Sequence, residues 1–401
     1  MSSTATAPAG NHGSGFSLGK IWTDKRSRSV IIQIIALAAI FAVVFYLLRN
    51  AVQNFETLGK PFGFGFLLQE SNYDINQHLI EYNSRSSHLR AAVVGVLNTL
   101  LVAVCGIILA TILGFILGVL RLSPNWLVNR LAYCYIEFVR NVPVLVHILL
   151  IHGILVHSLP KPKQAISVGE QFFLTNRGFY LPKPVYEPAF WAVVAAFIIG
   201  IAIAWWYRRN AKLKQIETGE QSPVFIVSLV AIIGLPIVVY FLAGQPITWD
   251  MPVLKGFNFK GGMALKPEFL SLWLALSLYT AAFIAENVRS GIESVNRGQT
   301  EASLALGMPR SRTMNLVVIP QALRVIIPPL TSQYLNITKN SSLAIAIGYM
   351  DIVATIGGIT LNQTGREMEC MIIVLGLYLF FSLTISLLMN WYNRRIALVE
   401  R

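Results

Sequence analysis

Charge is what this sequence has least of. Lys, Arg, Asp and Glu together supply 13% of its 401 residues, against about 25% in a soluble domain. Acid is the scarcer sign, 19 Asp and Glu against 32 Lys and Arg, for a formal net charge of +13. With 55% hydrophobic residues and a mean hydropathy of +0.59, most of the chain must be solvated by lipid. The basic surplus does not imply nucleic acid. Its Lys and Arg stand at the ends of apolar runs rather than along one face, which suits lipid headgroups. Cysteine is nearly missing too: Cys105, Cys134 and Cys370 are odd in number and show no paired spacing. They imply no disulfide framework and no metal site, and read as small apolar residues. His147, His152 and His157 recur at intervals of five, which drifts around a helix, and no His-Glu-x-x-His is present. No metal and no catalytic residue is therefore assigned. The sequence also lacks a Gly-x-x-x-x-Gly-Lys-[Ser/Thr] phosphate loop, so it binds no ATP by that device.

What is present is a series of apolar runs, each near the roughly 20 residues a spanning helix needs. Eight are read: 29–48, 94–120, 136–156, 189–207, 224–243, 269–288, 323–347 and 371–391. The seventh carries Arg324, Pro328, Pro329 and Lys339, so it is expected to be bent and buried in protein. Lys20, Lys25, Arg26 and Arg28 precede the first run, which predicts a cytoplasmic N-terminus. Alternation then puts Arg121 and Arg130, the Arg208–Lys214 cluster, the 297–312 loop, and Arg394 and Arg395 on the same side. Lys161, Lys163, Arg177 and Lys183 run against the rule in an outer loop. No cleavable signal is read, and the first run should stay as an anchor. The expected architecture is thus an all-α membrane protein of about eight helices. A cytoplasmic tail (1–28) precedes an anchor helix (29–48), a periplasmic segment (49–90) that partly lies along the surface as an amphipathic stretch, and a transmembrane domain (91–396). Pro160, Pro162, Pro182, Pro184 and Pro188 mark loop and turn, and the stretch from about 160 to 262 reads as an inserted helix pair. Gly114 and Gly118 give the second run a small-xxx-small face that permits close packing.

One loop carries a signal beyond composition. It reads Asn296-Arg297-Gly298-Gln299-Thr300-Glu301-Ala302-Ser303-Leu304-Ala305-Leu306-Gly307, then Met308-Pro309-Arg310-Ser311-Arg312 and on to Pro320. Thr300 can cap a short helix with Glu301 at its positive end. Gly307 can close it in a left-handed turn, and Pro309 can start a second helix. An amphipathic loop would explain one helix and some arginines, but not this order.

The order resembles the EAA motif of binding-protein-dependent ABC importers. Glu301, Ala302, Gly307 and Pro320 match it, while Ser303 stands for the second alanine. The likeness continues in Asn98-Thr99-Leu100, in 140–146 (Arg-Asn-Val-Pro-Val-Leu-Val), in 285–292 (Ala-Glu-Asn-Val-Arg-Ser-Gly-Ile) and in 320–324 (Pro-Gln-Ala-Leu-Arg) with Pro328-Pro329. These resemble the polar amino acid permeases over 98–156 and 269–391. The anchor, the Phe62-Gly63-Phe64-Gly65-Phe66 stretch and the inserted pair look like the larger, Q-type permease of general L-amino-acid importers of Gram-negative bacteria, including the glutamate/glutamine/aspartate/asparagine type. The resemblance implies a type I importer permease core in the inner membrane, with both termini cytoplasmic. It also implies a homologous second permease, two cytosolic ATPase subunits that use ATP and Mg, and a periplasmic amino-acid-binding protein. The 301–320 loop would then couple to the ATPase through Thr300, Glu301, Ala302, Ser303, Ala305, Gly307 and Pro309.

Polar groups inside spans are expensive, which makes them functional candidates. Asn336, Lys339, Asn340, Ser341 and Ser342 cluster in the seventh run and are expected to line the substrate path, with Lys339 facing a substrate carboxylate. The alternative is structural, with Lys339 snorkelling to the interface. Glu286 and Arg289, three apart on one face, read as a bundle-holding ion pair, with gating as the alternative. Arg140 is expected to anchor the third run and Pro143 to bend it. A secondary, ion-coupled amino acid transporter is the competing function; it would want inverted repeats and mid-membrane carboxylates, and neither is seen.

Overall fold

The computed structural model describes residues 25–57, 59 and 62–396; the tail from 1 to 24, with Lys20, lies outside the described residues. Among them, seven helices are long and apolar enough to cross a membrane, and a bent pair makes an eighth. In chain order they are α1 (Lys25–Thr57), α2 (His88–Arg121), the pair α3 (Trp126–Asn141) and α4 (Val144–His157), α5 (Phe190–Thr218) and α6 (Val224–Leu242). Then come α7 (Pro267–Glu293), the short α8 (Arg297–Ala305), α9 (Arg310–Ile347), α10 (Val353–Thr360, continued to Thr364) and α11 (Glu367–Ile396). Each expected run falls on one of these.

α7 is the axis of the bundle. Pro267 stands in its first turn with Glu268 beside it, where a missing N–H is harmless and an acid meets the helix dipole. Leu272, Leu276, Ile284 and Val288 along it are essentially fully buried. Lipid is as apolar as Leu, so helices in a bilayer are held by close packing rather than by the hydrophobic effect. That packing is supplied by α2. A Cβ placed on Gly114 would lie 2.5 Å from Ile284 Cβ, and one on Gly118 would lie 2.6 Å from Val288 Cβ. The small-residue face seen in the sequence is therefore the seam between α2 and α7.

The third run is broken at Val142 and Pro143, and α3 and α4 meet at 107°. Pro143 has no N–H to continue a helix, and its backbone is extended (φ −58°, ψ 140°). The seventh run is not interrupted as the third is. α9 starts at Arg310 and is unbroken through Pro328 and Pro329. Its irregularities sit at its ends, a π segment over Met314–Val318 and a 3-10 segment over Ser341–Ile347.

The stretch from about 160 to 262 is a hairpin of α5 and α6 under a small β layer. Ala196, Gly200 and Ala204 form a buried small stripe on α5, against the π segment Val230–Gly234 of α6. The proline-crowded stretch is ordered structure rather than plain loop. β1 (Ile166–Val168), β2 (Phe172–Thr175), β3 (Gly178–Leu181) and β8 (Met263–Leu265) make one antiparallel sheet. β4 (Lys183–Tyr186) pairs with β5 (Ile247–Asp250), and β6 (Val253–Lys255) with β7 (Asn258–Lys260). Phe179 of β3 and Leu265 of β8 pack onto the core beside Phe269 and Leu272, so the sheet ties the hairpin to the start of α7. The bundle thus has a β-layer end and, opposite, an α8 end.

The 49–90 segment also departs from expectation. α1 continues to Thr57, and the chain from 62 to 87 is not an amphipathic helix on a surface. It folds onto the β-layer end, burying Phe66, Ile75 and Ser71. Tyr73 Oη bonds Thr360 Oγ1 at 3.1 Å, and burial pushes that phenol up to about 12. α1 itself buries none of its apolar window against the rest of the chain.

Candidate functional site

The α8 end is built from short-range rules. The expected cap was Thr300, but the helix begins earlier. Asn296 is the N-cap and its Oδ1 accepts from Gly298 N at 2.9 Å. Asn reaches back to such an amide as readily as Thr, and Thr300 and Glu301 fall inside the helix. At the other end, Gly307 has φ +78°. Its N–H bonds the Leu304 carbonyl at 2.9 Å, and Met308 N–H bonds the Ser303 carbonyl at 3.2 Å. This pair of bonds is the Schellman closure, which satisfies carbonyls left open at a helix end. Pro309 is the residue before α9, extended at φ −66° and ψ 150°, rather than inside its first turn. The expected second helix of the loop is the first turn of α9 itself.

Ser303 is buried, unlike its neighbours. Its hydroxyl donates to the Thr300 carbonyl at 2.9 Å and to Thr313 Oγ1 at 3.2 Å. The serine at the alanine position thus ties α8 to α9. Glu301, Ala302, Ala305 and Gly307 are exposed, and Leu306 is 82% exposed at the tip. The result is a capped helix tied to α9, with a small-residue outer face and two exposed large apolar side chains, Leu304 and, more fully, Leu306.

Just above, Arg289 on α7 bonds Glu286 through Nε at 3.2 Å to both carboxylate oxygens, and its Nη1 bonds Glu293. Arg140 lies 3.7 Å from Glu137 and over the Phe283 ring. Arg289 and Glu286 thus pair within α7, while Arg140 at the end of α3 reaches α7 at Phe283, beside the break at Pro143.

The 336–342 stretch does not share one surface. Ser341 is buried, donates to the Thr338 carbonyl at 2.7 Å and touches Tyr378 Oη at 3.4 Å. Asn340 and Ser342 are half-buried, and the Ser342 hydroxyl donates to the Lys339 carbonyl. Asn336 and Lys339 are exposed, in line with Val325, Pro328, Pro329 and Ser332. Spacings of three and four make this a single stripe of α9. Among the described residues no other element covers the stripe, which is apolar toward the α8 end and polar toward the β-layer end.

Sequence reasoning missed a buried polar cluster between α2, α10 and α11. Asp351 is fully buried; its Oδ1 accepts from Ala354 N at 2.8 Å and its Oδ2 from Tyr378 Oη at 3.2 Å. Tyr349 Oη donates to the Asn98 carbonyl and Ile352 N to Thr99 Oγ1. Asn98 Nδ2 donates to the carbonyls of Gln77 and Met350. The cluster pins the turn between α9 and α10. Its signal was available: Asp351 is the one carboxylate between Glu301 and Glu367. His147 bonds the Pro143 carbonyl through Nδ1 and His152 bonds Ser271. Among the described residues no group of three His, Cys, Asp or Glu could hold a metal.

Residues 196–398 match the family described as the binding-protein-dependent transport system inner membrane component. The General L-amino acid transport system permease protein AapQ of Rhizobium johnstonii is 45% identical over 97% of this chain and 97% of its own length. The Glutamate/glutamine/aspartate/asparagine transport system permease protein BztB of Rhodobacter capsulatus is 48% identical over 96% of this chain and 98% of its own. The Glutamate/aspartate import permease protein GltJ of Escherichia coli is 34% identical over 41% of this chain and 68% of its own. The chain belongs to this family: it is a multi-pass inner-membrane permease subunit of a binding-protein-dependent ABC importer, a transport component rather than an enzyme.

Proposed function

We propose that this chain forms one half of a translocation path for L-amino acids and receives its drive from a separate cytosolic ATPase through α8. The cargo is supported by AapQ and BztB, whose names specify amino acid transport and which match nearly end to end. The drive is supported by the shape of α8, capped at Asn296, closed at Gly307 and tied to α9 by Ser303. A push on such a helix passes to α9 as a rigid displacement. Thr300, Glu301, Ala302, Ser303, Ala305, Gly307 and Pro309 are the coupling residues of this reading. Small side chains allow close approach, and Leu306 supplies an apolar anchor.

The α8 end is then cytoplasmic, with both termini on that side, and the β-layer end faces a periplasmic amino-acid-binding protein. A homologous second permease covers the open stripe of α9, so that Asn336, Lys339 and Asn340 line the path between the two. Ser341 and Ser342 shape that wall from behind. Lys339 offers an ammonium to a substrate carboxylate. Glu286, Arg289 and Arg140 hold the cytoplasmic ends of α3 and α7 together, with Pro143 setting the angle. Two ATPase copies bind and hydrolyse ATP with Mg; binding opens the path outward and hydrolysis resets it.

Lys339→Met in the assembled transporter tests the path. Uptake of labelled amino acids should fall by about tenfold, the effect of one charge-assisted hydrogen bond of roughly 1.5 kcal/mol, while ATPase binding stays normal. Wild-type uptake of every amino acid would remove Lys339 from the path.

A further inference from the structure

Two cavities adjoin at the α8 end. One is an apolar slot of about 480 Å³ between α2, α7 and α9, walled by Phe115, Val119, Val288, Ala322, Leu323 and Ile326. The other, of about 620 Å³, lies between the end of α7, α8 and the start of α9, and carries Glu293, Arg297, Thr300 and Arg310. Ile292 and Met314 border both, so an apolar cavity and a cationic cavity lie side by side. The outer wall of the slot belongs to a lipid-exposed ridge of α2, where Ile112, Ile116 and Val119 are each at least half exposed. The one acid in the polar cavity, Glu293, is already bonded to Arg289. Arg297 and Arg310, both exposed, therefore leave the cavity net positive, at the end of the bundle that the proposed function sets at the cytoplasmic membrane surface.

We propose that this composite cavity binds an anionic phospholipid, with an acyl chain in the slot and the phosphate between Arg297 and Arg310. Basic pockets between transmembrane helices at a membrane surface take such headgroups. A zwitterionic lipid could fill the slot but would gain less from the two arginines. The π segment Met314–Val318 that links the loop to α9 forms part of the wall, so the lipid would brace the junction between α8 and the bundle.

The test uses the assembled transporter in nanodiscs of phosphatidylcholine with a minor share of phosphatidylglycerol, then native mass spectrometry after detergent extraction. Wild type should retain phosphatidylglycerol out of proportion to its share. The double variant Arg297→Gln, Arg310→Gln should weaken that retention by about 30-fold, the effect of two cations near an anionic surface. Leu323→Trp, which fills the slot, should release the lipid without changing the charge. Equal retention of phosphatidylcholine and phosphatidylglycerol by wild type would overturn the proposal. So would retention unchanged in both variants. Lipid held by the isolated permease but absent from the full complex would show that the ATPase fills the cavity instead, and would also overturn it.

Discussion

Gly307 offers the sharpest perturbation of the α8 end. Its φ of +78° is a region where a Cβ costs about 1–2 kcal/mol, and a β-branched side chain costs more. Replacing glycine also stiffens the unfolded chain, which returns about 0.4–1 kcal/mol. Gly307→Val should therefore lose a net of about 1–2 kcal/mol, equivalent to a 5- to 30-fold shift away from the closed turn. No atom lies within 4 Å of the added Cβ, so the cost is purely of backbone and stays local. The bonds at risk are Gly307 N–H to Leu304 and Met308 N–H to Ser303, which hold the tip where Leu306 is presented. The assay has two arms: retention of the ATPase during affinity purification of the transporter, and thermal unfolding of the permease in detergent. Retention should drop several-fold while unfolding of the bundle is unchanged. Full retention with full transport would refute the claim that the closed turn is the docking device. Lost retention with a bundle that melts early would assign the effect to folding instead.

Other expectations follow from particular contacts. Ser303→Ala removes the bond to Thr313; about 1 kcal/mol of anchoring is lost, and transport per ATP hydrolysed should fall while ATPase retention stays close to normal. Gly114→Val drives a side chain into Ile284, an overpacking worth about 1–3 kcal/mol, so the melting temperature of the purified permease should drop where Gly153→Ala, in open space, leaves it unchanged. Tyr378→Phe strips a donor from buried Asp351 and should cost about 1–3 kcal/mol in the same melt. Tyr73→Phe loses the bond to Thr360, at about 1 kcal/mol. Because burial holds that phenol up at about 12, it stays protonated and the loss should be the same at neutral and mildly alkaline pH.

The spans were legible because lipid demands long apolar runs, and that demand is written residue by residue. Gly114 and Gly118 were legible for a related reason, since only small residues let two helices approach so closely. The turn at Gly307 could be read because left-handed backbone selects glycine. What stayed hidden depended on choices among near-equal options. Asn296 and Thr300 are both competent caps, and the sequence does not say which N–H groups will be free. Pro328 and Pro329 were expected to bend α9, yet the helix continues through them with both rings on its exposed face. The short strands between 166 and 265 alternate too briefly to stand out among prolines and glycines. The 336–342 stretch was read as one surface, whereas the helix turns Ser341 inward to Tyr378 and Lys339 outward. Asp351 was not legible as a buried group because it lies outside the apolar runs, in a turn that folds back into the bundle.

The most direct test of the account is uptake of a labelled L-amino acid mixture by proteoliposomes holding the full transporter, with binding protein outside and ATP inside. Uptake that ceases when the ATPase partner is made hydrolysis-dead, and that survives collapse of the proton and sodium gradients, is the result the account predicts. Uptake that persists with the dead ATPase and disappears with the ion gradients would contradict it.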